Sequence, residues 1–240
     1  MHRFFLEKNF SKELQIVGAD ARHIIRVLRM QTGDVVQLVL DDGIICEAKI
    51  TEIRDDTVKV NCLNVLAEPH DAKFSVILAQ GLAKGDKMDF VVQKSVELGV
   101  DGIIPLALEH SVVQLDEQRA DKKKERWQKI AISAAKQAKR DKVPFVTNIK
   151  NLNDVLKDKY DLVLMAYEGE TQISLKSVLQ NNVAKSILLI VGPEGGFSNN
   201  EVELAVNAGA KTVSLGRRIL RSETAGIVAL SCIFYEKDSI

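Results

Sequence analysis

The chain has 240 residues, 46% of them hydrophobic and 28% charged, with 33 Lys and Arg balanced by 33 Asp and Glu. This is a globular composition with apolar residues for one large core or two modest ones, and it excludes a disordered chain or a fibre. The longest C-terminal apolar run, Ala225 to Tyr235, falls well short of the ~20 residues of a membrane-spanning helix, and Glu7 interrupts the N-terminus before a signal-like stretch can form. A soluble cytoplasmic protein with no membrane partner is expected.

The zero net charge conceals two basic regions. Met1 to Met30 carries six Lys or Arg against three acids, and Arg119 to Lys142 carries ten against three. Such regions on a neutral protein can track phosphates without indiscriminate binding; a solvated helix face is the competing reading. Cys46, Cys62 and Cys232 are far apart, as are His2, His23, His70 and His110. With no ligand spacing among them, inert thiols and no metal are expected.

In chain order, the first helical pattern is "DARHIIRVLRM", with Ile24, Ile25 and Leu28 on one side and Arg22, Arg26 and Arg29 on another. From Val35 to Val65, short Val-, Ile- and Thr-rich runs are punctuated by Asp42-Gly43 and Asp55-Asp56, which predicts a small antiparallel β domain closed as a barrel. "AEPHDAK", Ala67 to Lys73, reads as a linker. Beyond it the rhythm becomes strand and helix in alternation: "FSVILAQ", a helix from Asp86 to Leu98, "DGIIPLAL", a long helix from about Asp116 to Lys139, then "DLVLMAY", "SILLIVG" and "AKTVSLG". That alternation predicts a largely parallel sheet covered on both faces, with the site beyond the carboxyl ends of its strands.

Three loops stand at such ends. In "ILLIVGPEGGFSNNEVELAVNAG", Ile187 to Gly209, Ser198 and Glu201 predict a capping box, with Phe197 and Val202 as its staple. The box takes up end-group donors that a phosphate would otherwise use, and the chain has neither a Gly-Lys-Ser/Thr loop nor Gly-x-Gly-x-x-Gly. The loop therefore reads as a shaped wall, stiffened by Pro193 and opened to close approach by Gly192, Gly195 and Gly196. In "SLGRRILRSETAGIVALSCIFY", Arg217, Arg218 and Arg221 crowd the turn at Gly216 before a helix apolar almost all round, expected in a core or at a subunit interface. Three arginines there need acids or a polyanion; Glu194, Glu223 and water are the competing partners. "LMAYEGE" supplies the third loop, and the three together can wrap one small ligand.

These blocks, "GPEGGFSNNE", "LGRRILRSETA", "QKSVELGV" and the opening "HRFF" with "HIIRVLRMQTGD", resemble the RsmE family of 16S ribosomal RNA uridine methyltransferases in the SPOUT superfamily, in order and over nearly the whole chain. The resemblance implies an α/β fold with an N-terminal PUA-like β-barrel over residues 1–68 and a C-terminal SPOUT domain over 73–240, its chain end drawn through a deep trefoil knot. It implies a homodimer that binds S-adenosylmethionine and methylates ring nitrogen 3 of a uridine in 16S rRNA of the small subunit, with no DNA partner. The cofactor pocket would comprise Ala166, Tyr167 and Glu168; Gly192, Pro193, Glu194, Gly195 and Gly196; and Leu215, Gly216, Ile219, Leu220, Thr224 and Ala225. The sequence departs from the family pattern at His110, where an arginine is expected, and at Lys136, where a glutamate is usual.

Uracil nitrogen 3 becomes nucleophilic only as its proton leaves, so a cation near the flanking carbonyl oxygens would help; Arg221 is the expected residue, with Glu194 the first candidate base ahead of Glu223 or water. Arg3, Arg22, Arg26, Arg29, Lys84, Lys87 and Lys94 are the expected RNA grips. The rival expectations are a SPOUT ribose 2′-hydroxyl methyltransferase acting on tRNA or rRNA and a non-catalytic RNA-binding assembly factor.

Overall fold

A computed structural model describes residues 1–66, 71–111 and 116–237. They form two compact units, Met1–Asp71 with Ala135–Val143, and Ala72–Ala134 with Pro144–Ile240. Residues 67–70, most of the expected linker, lie outside the described residues, as do 112–115 in "LEHSVVQ".

The first unit holds β1 (Arg3–Leu6), β2 (Glu13–Val17), β3 (Val35–Leu40), β4 (Ile45–Arg54) and β5 (Thr57–Leu66), in the sheet order β1-β3-β4-β5-β2. The long β4–β5 pair turns at Asp55, whose φ of 45° is the left-handed conformation that Asp tolerates. Alternation selects the inward face: in β2 Leu14 and Ile16 are buried between exposed neighbours. Helix α1 (Gly18–Arg22) runs on into a π-helical turn, His23–Val27. Ala21 and Ile24 join Phe4, Ile16, Leu38 and Ile50 in the core, while Arg22, Arg26 and Arg29 stay exposed.

Among the described residues no ladder joins β1 to β2, so the sheet is open where a closed barrel was expected. The helical segment accounts for the difference. It follows β2, fills the core with Ala21 and Ile24, and sets the His23 ring edge-on to Phe4 of β1 at 6.5 Å.

The return of Ala135–Val143 to this unit was not anticipated by boundaries at 68 and 73, and its cause is a set of buried polar bonds. Arg3 Nη1 donates to the carbonyls of Lys139 (2.6 Å) and Arg140 (2.8 Å) and pairs with Asp141 at 3.1 Å, its side chain wholly buried. Lys136 Nζ lies 2.5 Å from Asp20 and 5.5 Å over the Phe4 ring, which gives this departure from the family pattern a structural role. Cys46 is buried, and burial followed by the Cys62 thiol 3.0 Å away pushes its pKa up to about 12. An inert thiol follows; Cys232, by contrast, is exposed.

The second unit alternates strand and helix: β6 (Ser75–Gly81), α2 (Lys87–Leu98), β7 (Gly102–Ala107), α3 (Glu117–Gln137), β8 (Phe145–Val146), β9 (Lys150–Asn151), α4 (Leu152–Leu156), β10 (Leu162–Ala166), α5 (Leu175–Gln180), β11 (Ser186–Val191), α6 (Asn199–Asn207), β12 (Lys211–Val213) and α7 (Ser222–Lys237). The order is β12-β10-β11-β6-β7-β8, with β9 also on β7, and every ladder is parallel. Strand alternation divides the core. Ile77, Ala79, Leu188 and Ile190 meet residues of α4 and α6, whereas α7 packs on β6 and β11 from the other face beside α2 and α5. Trp127 of α3 is buried and donates through its indole to Asp89 at 3.1 Å. Among the described residues no helix is long and apolar enough to cross a membrane.

Candidate active site

The carboxyl ends of β10, β11 and β12 surround a cavity of about 500 Å³. Ala166, Tyr167 and Glu168 line it after β10, Gly192, Pro193, Glu194 and Gly196 after β11, and Leu215, Gly216, Ile219 and Leu220 after β12, with Ala225 from α7. The three loops singled out in the sequence thus converge, at the edge of a parallel sheet where such folds place their ligands. Two expected members lie outside the lining. Gly195 faces His110 instead: its carbonyl is 3.0 Å from His110 Nδ1, and a Cβ on it would stand 2.8 Å from His110 Cβ. Thr224 is exposed on the first turn of α7.

The β11 loop is built as its sequence requires. Ser198 Oγ accepts from Glu201 N (3.2 Å) and the Glu201 carboxylate accepts from Ser198 N (2.9 Å), closing the capping box. The buried Glu201 also accepts from Glu109 N at 2.8 Å, tying the loop after β7 to the same corner. A second anchor was not foreseen. Ser222 Oγ donates to the Gly192 carbonyl (2.5 Å) and accepts from Gln80 Nε2 (2.8 Å), all three groups buried. Gly81 beside them has no room for a side chain, since a Cβ would meet Pro193 N at 2.4 Å. The ends of β6 and β11 and the start of α7 are therefore locked together behind the cavity wall. The only sequence signal was a polar Gln closing an otherwise apolar strand.

The charged groups are arranged otherwise than expected. Lys87, anticipated as an RNA grip, lines the cavity and holds Glu194 at 2.9 Å and Glu223 at 3.5 Å. Bonding to Glu194, partly offset by desolvation, raises the Lys87 pKa. Burial pushes Glu194 up, but the bond to Lys87 and the backbone N–H of Lys84, which donates at 3.1 Å, outweigh it and hold the carboxyl below its ordinary value. A carboxylate with a lowered pKa and two donors already bound is a weak base, so this geometry argues against Glu194 as the proton acceptor. Glu194 and Glu223 do not serve the arginines either: among the described residues no carboxylate lies within 4.0 Å of Arg217, Arg218 or Arg221, all three exposed at the cavity.

The other expected grips divide. Arg3 is a buried clamp with no free face for a phosphate. Arg22 and Arg26 are exposed and share Asp56 at 3.0 and 3.4 Å, and Arg29 is exposed. Lys94 pairs with Glu97 one turn along α2 at 2.8 Å, and Lys84 is exposed. Among the described residues no group of three His, Cys, Asp or Glu side chains is placed to hold a metal ion.

A cavity of this size between strand-end loops marks an α/β protein with a small-molecule site. Residues 70–234 match the model of an RNA methyltransferase domain and residues 16–61 that of an RNA methyltransferase PUA domain. The chain is 37% identical to the ribosomal RNA small subunit methyltransferase E of Bacillus subtilis, over 99% of this chain and 98% of that one, and 30% identical to the Buchnera aphidicola protein of the same name, over 96% and 92%. The ribosomal RNA small subunit methyltransferase E of Neisseria gonorrhoeae, solved bound to S-adenosylmethionine, superposes with a TM-score of 0.88 at 32% identity, covering 98% and 97% of the two chains. This chain belongs to the ribosomal RNA small subunit methyltransferase E family of RNA methyltransferases.

Proposed function

We propose that the protein methylates ring nitrogen 3 of a uridine in 16S rRNA of the small ribosomal subunit, using S-adenosylmethionine held in the cavity at the ends of β10, β11 and β12. The observation that carries the reading is that cavity, two of whose three wall loops, "GPEGGFSNNE" and "LGRRILRSETA", bear the family likeness. Its residues fit the cofactor. The volume lies in the range of small-molecule sites, and Gly196 (φ 72°) and Gly216 (φ 114°) take left-handed turns that bring bare backbone to the ligand.

When bound, S-adenosylmethionine supplies the methyl group from its positively charged sulfur. The rest falls to the chain. The loop walls fix the orientation of cofactor and base, which is most of what an in-line transfer requires. Arg221 at the cavity stabilises charge on the uracil oxygens as the nitrogen loses its proton. With Glu194 bound to Lys87, that proton passes to water at the open mouth. The target nucleotide enters unpaired or flipped, and Arg22, Arg26 and Arg29 of the 1–68 domain grip RNA phosphates.

We also assign the 73–240 domain a trefoil knot, the first domain a barrel-like sheet, and the active form a homodimer in the cytoplasm. The knot is supported by the course of the chain, which leaves β12 at the sheet edge and returns with Ser222 to the ends of β6 and β11. The dimer is supported by apolar side chains left outside: Ile219 is 85% and Tyr235 83% exposed.

The test is methyl transfer from labelled cofactor to 30S subunits lacking the modification, with the product nucleoside identified. N3-methyluridine is expected. A ribose-methylated product would favour the 2′-hydroxyl reading, and absence of both transfer and cofactor binding would favour a non-catalytic assembly factor. Arg221→Ala should lower kcat by about 10²-fold, the loss typical of one charge-stabilising donor; full turnover would remove it from the mechanism.

A further inference from the structure

The loop after β12 presents three guanidinium groups, Arg217, Arg218 and Arg221, to one cavity. Like charges so close repel and call for a counter-ion. The neighbouring carboxylates do not supply it: Lys87 pairs with Glu194 and Glu223, and even with Glu223 counted the four cations Lys87, Arg217, Arg218 and Arg221 outnumber Glu168, Glu194 and Glu223. Of the charged side chains lining the cavity, the pairing of Lys87 with Glu194 leaves three arginines facing Glu168 alone. The site is built with an excess of positive charge.

Neither reacting group can absorb that excess. S-adenosylmethionine carries a sulfonium and an ammonium against one carboxylate and is itself a net cation, while uracil is neutral. The anion that necessarily accompanies the target base is the phosphodiester beside it. A guanidinium suits it well, since its planar fork binds two phosphate oxygens at once. Arg217 and Arg218 are exposed at the cavity and free of carboxylate partners among the described residues.

We propose that Arg217 and Arg218 seat the phosphodiester adjoining the target uridine, and that this phosphate, by neutralising the loop, raises the affinity of the site for its cationic cofactor. The inference rests on the methyltransferase reading. RNA and cofactor then help each other to bind, by the same factor in either direction. Arg217 and Arg218 are positioning residues in this scheme, distinct from Arg221 at the reacting base.

The test uses the full chain and a single-stranded oligoribonucleotide containing the target uridine, with a second oligonucleotide whose linkage next to that uridine is an uncharged methylphosphonate. Calorimetry measures the cofactor Kd alone and with each RNA. The wild type should bind cofactor at least about fivefold more tightly with the phosphodiester RNA and lose that gain with the methylphosphonate. Arg217→Ala/Arg218→Ala should abolish the gain, leave the RNA-free cofactor Kd no weaker, and reduce the slope of log RNA affinity against log salt by about 0.7 for each phosphate that is no longer neutralised. Arg217→Lys/Arg218→Lys should keep the slope and recover part of the gain.

An alanine variant that weakens cofactor binding without RNA and keeps its salt slope would assign the arginines to the cofactor carboxylate and overturn the proposal. Loss of self-association with RNA coupling unchanged would make them an interface with a second copy of the chain, which overturns the proposal equally. In either case a wild type that binds cofactor and transfers methyl leaves the proposed function standing; a wild type that does neither refutes that reading itself.

Discussion

Replacing Gly81 with alanine tests whether the β6–β11 junction sets the shape of the cofactor wall. The new Cβ would stand 2.4 Å from the Pro193 nitrogen, 2.7 Å from the Gly192 carbonyl carbon and 2.8 Å from Pro193 Cδ. These are atoms of main chain and a proline ring, so no side-chain rotation relieves the clash. Ordinary contact begins near 3.4 Å, and the Pro193 nitrogen must retreat by about 1 Å. Gly192 resists because its carbonyl is held by Ser222 at 2.5 Å. Overpacking of this kind costs about 1–3 kcal/mol, which at about 2–4 °C per kcal/mol lowers the Tm by roughly 2–12 °C. Since Gly192 and Pro193 line the cavity, the same shift should weaken cofactor binding about tenfold, or about 1.4 kcal/mol. Gly102→Ala is the control. Its Cβ would meet the Phe145 ring at 2.3 Å, but that ring is 48% exposed and can swing aside. Thermal melts and calorimetry with S-adenosylmethionine read both variants. If Gly81→Ala kept wild-type Tm and cofactor affinity, or if Gly102→Ala were equally damaging, the argument from a pinned wall would be wrong.

Ser222→Ala leaves the buried Gly192 carbonyl and Gln80 amide without their shared partner, and should lower unfolding stability in urea by about 1–3 kcal/mol. Arg3→Ala removes a wholly buried guanidinium that donates to two carbonyls and pairs with Asp141; it should cost about 1–3 kcal/mol while leaving the salt slope of RNA binding unchanged, whereas a reduced slope would restore Arg3 as a grip. The Lys87–Glu194 latch should be pH-sensitive on both sides. Glu194 is depressed below 4.5, so its contribution is present above that value and lost as pH falls through the folded pKa; Lys87 is raised above 10.5, so its contribution is present below that value and lost as pH rises through the folded pKa. Cofactor affinity measured against pH at constant ionic strength should therefore be flat through neutrality and fall at both extremes, with the acid limb missing in Glu194→Gln. That same variant should retain turnover within a few-fold; abolished turnover with intact cofactor binding would reinstate Glu194 as the base.

The local elements were legible because they follow from local chemistry. The capping box at Ser198 and Glu201, the hairpin turn at Asp55 and the apolar run in "FSVILAQ" depend on neighbours within a few residues, and the chain spells them out. The three cavity loops could be located because each follows a strand of a parallel sheet, whose carboxyl ends gather on one side. The strands β8 and β9 escaped notice, two residues being too few to show a period.

What the sequence determined by itself was thus the parallel sheet, the three loops at its carboxyl ends and the family to which they are similar. Tertiary structure alone decided which charge meets which. Lys87 and Glu194 are 107 positions apart, Gln80 and Ser222 142, and Arg3 and Asp141 138, and no periodicity reports such separations. Those pairings join Lys87, an expected RNA grip, to Glu194, the expected base, and bury Arg3, another expected grip. They also left the arginines after β12 without acids among the described residues, because an ionic partner is chosen by distance in space, which only the folded sheet and the return of α7 establish.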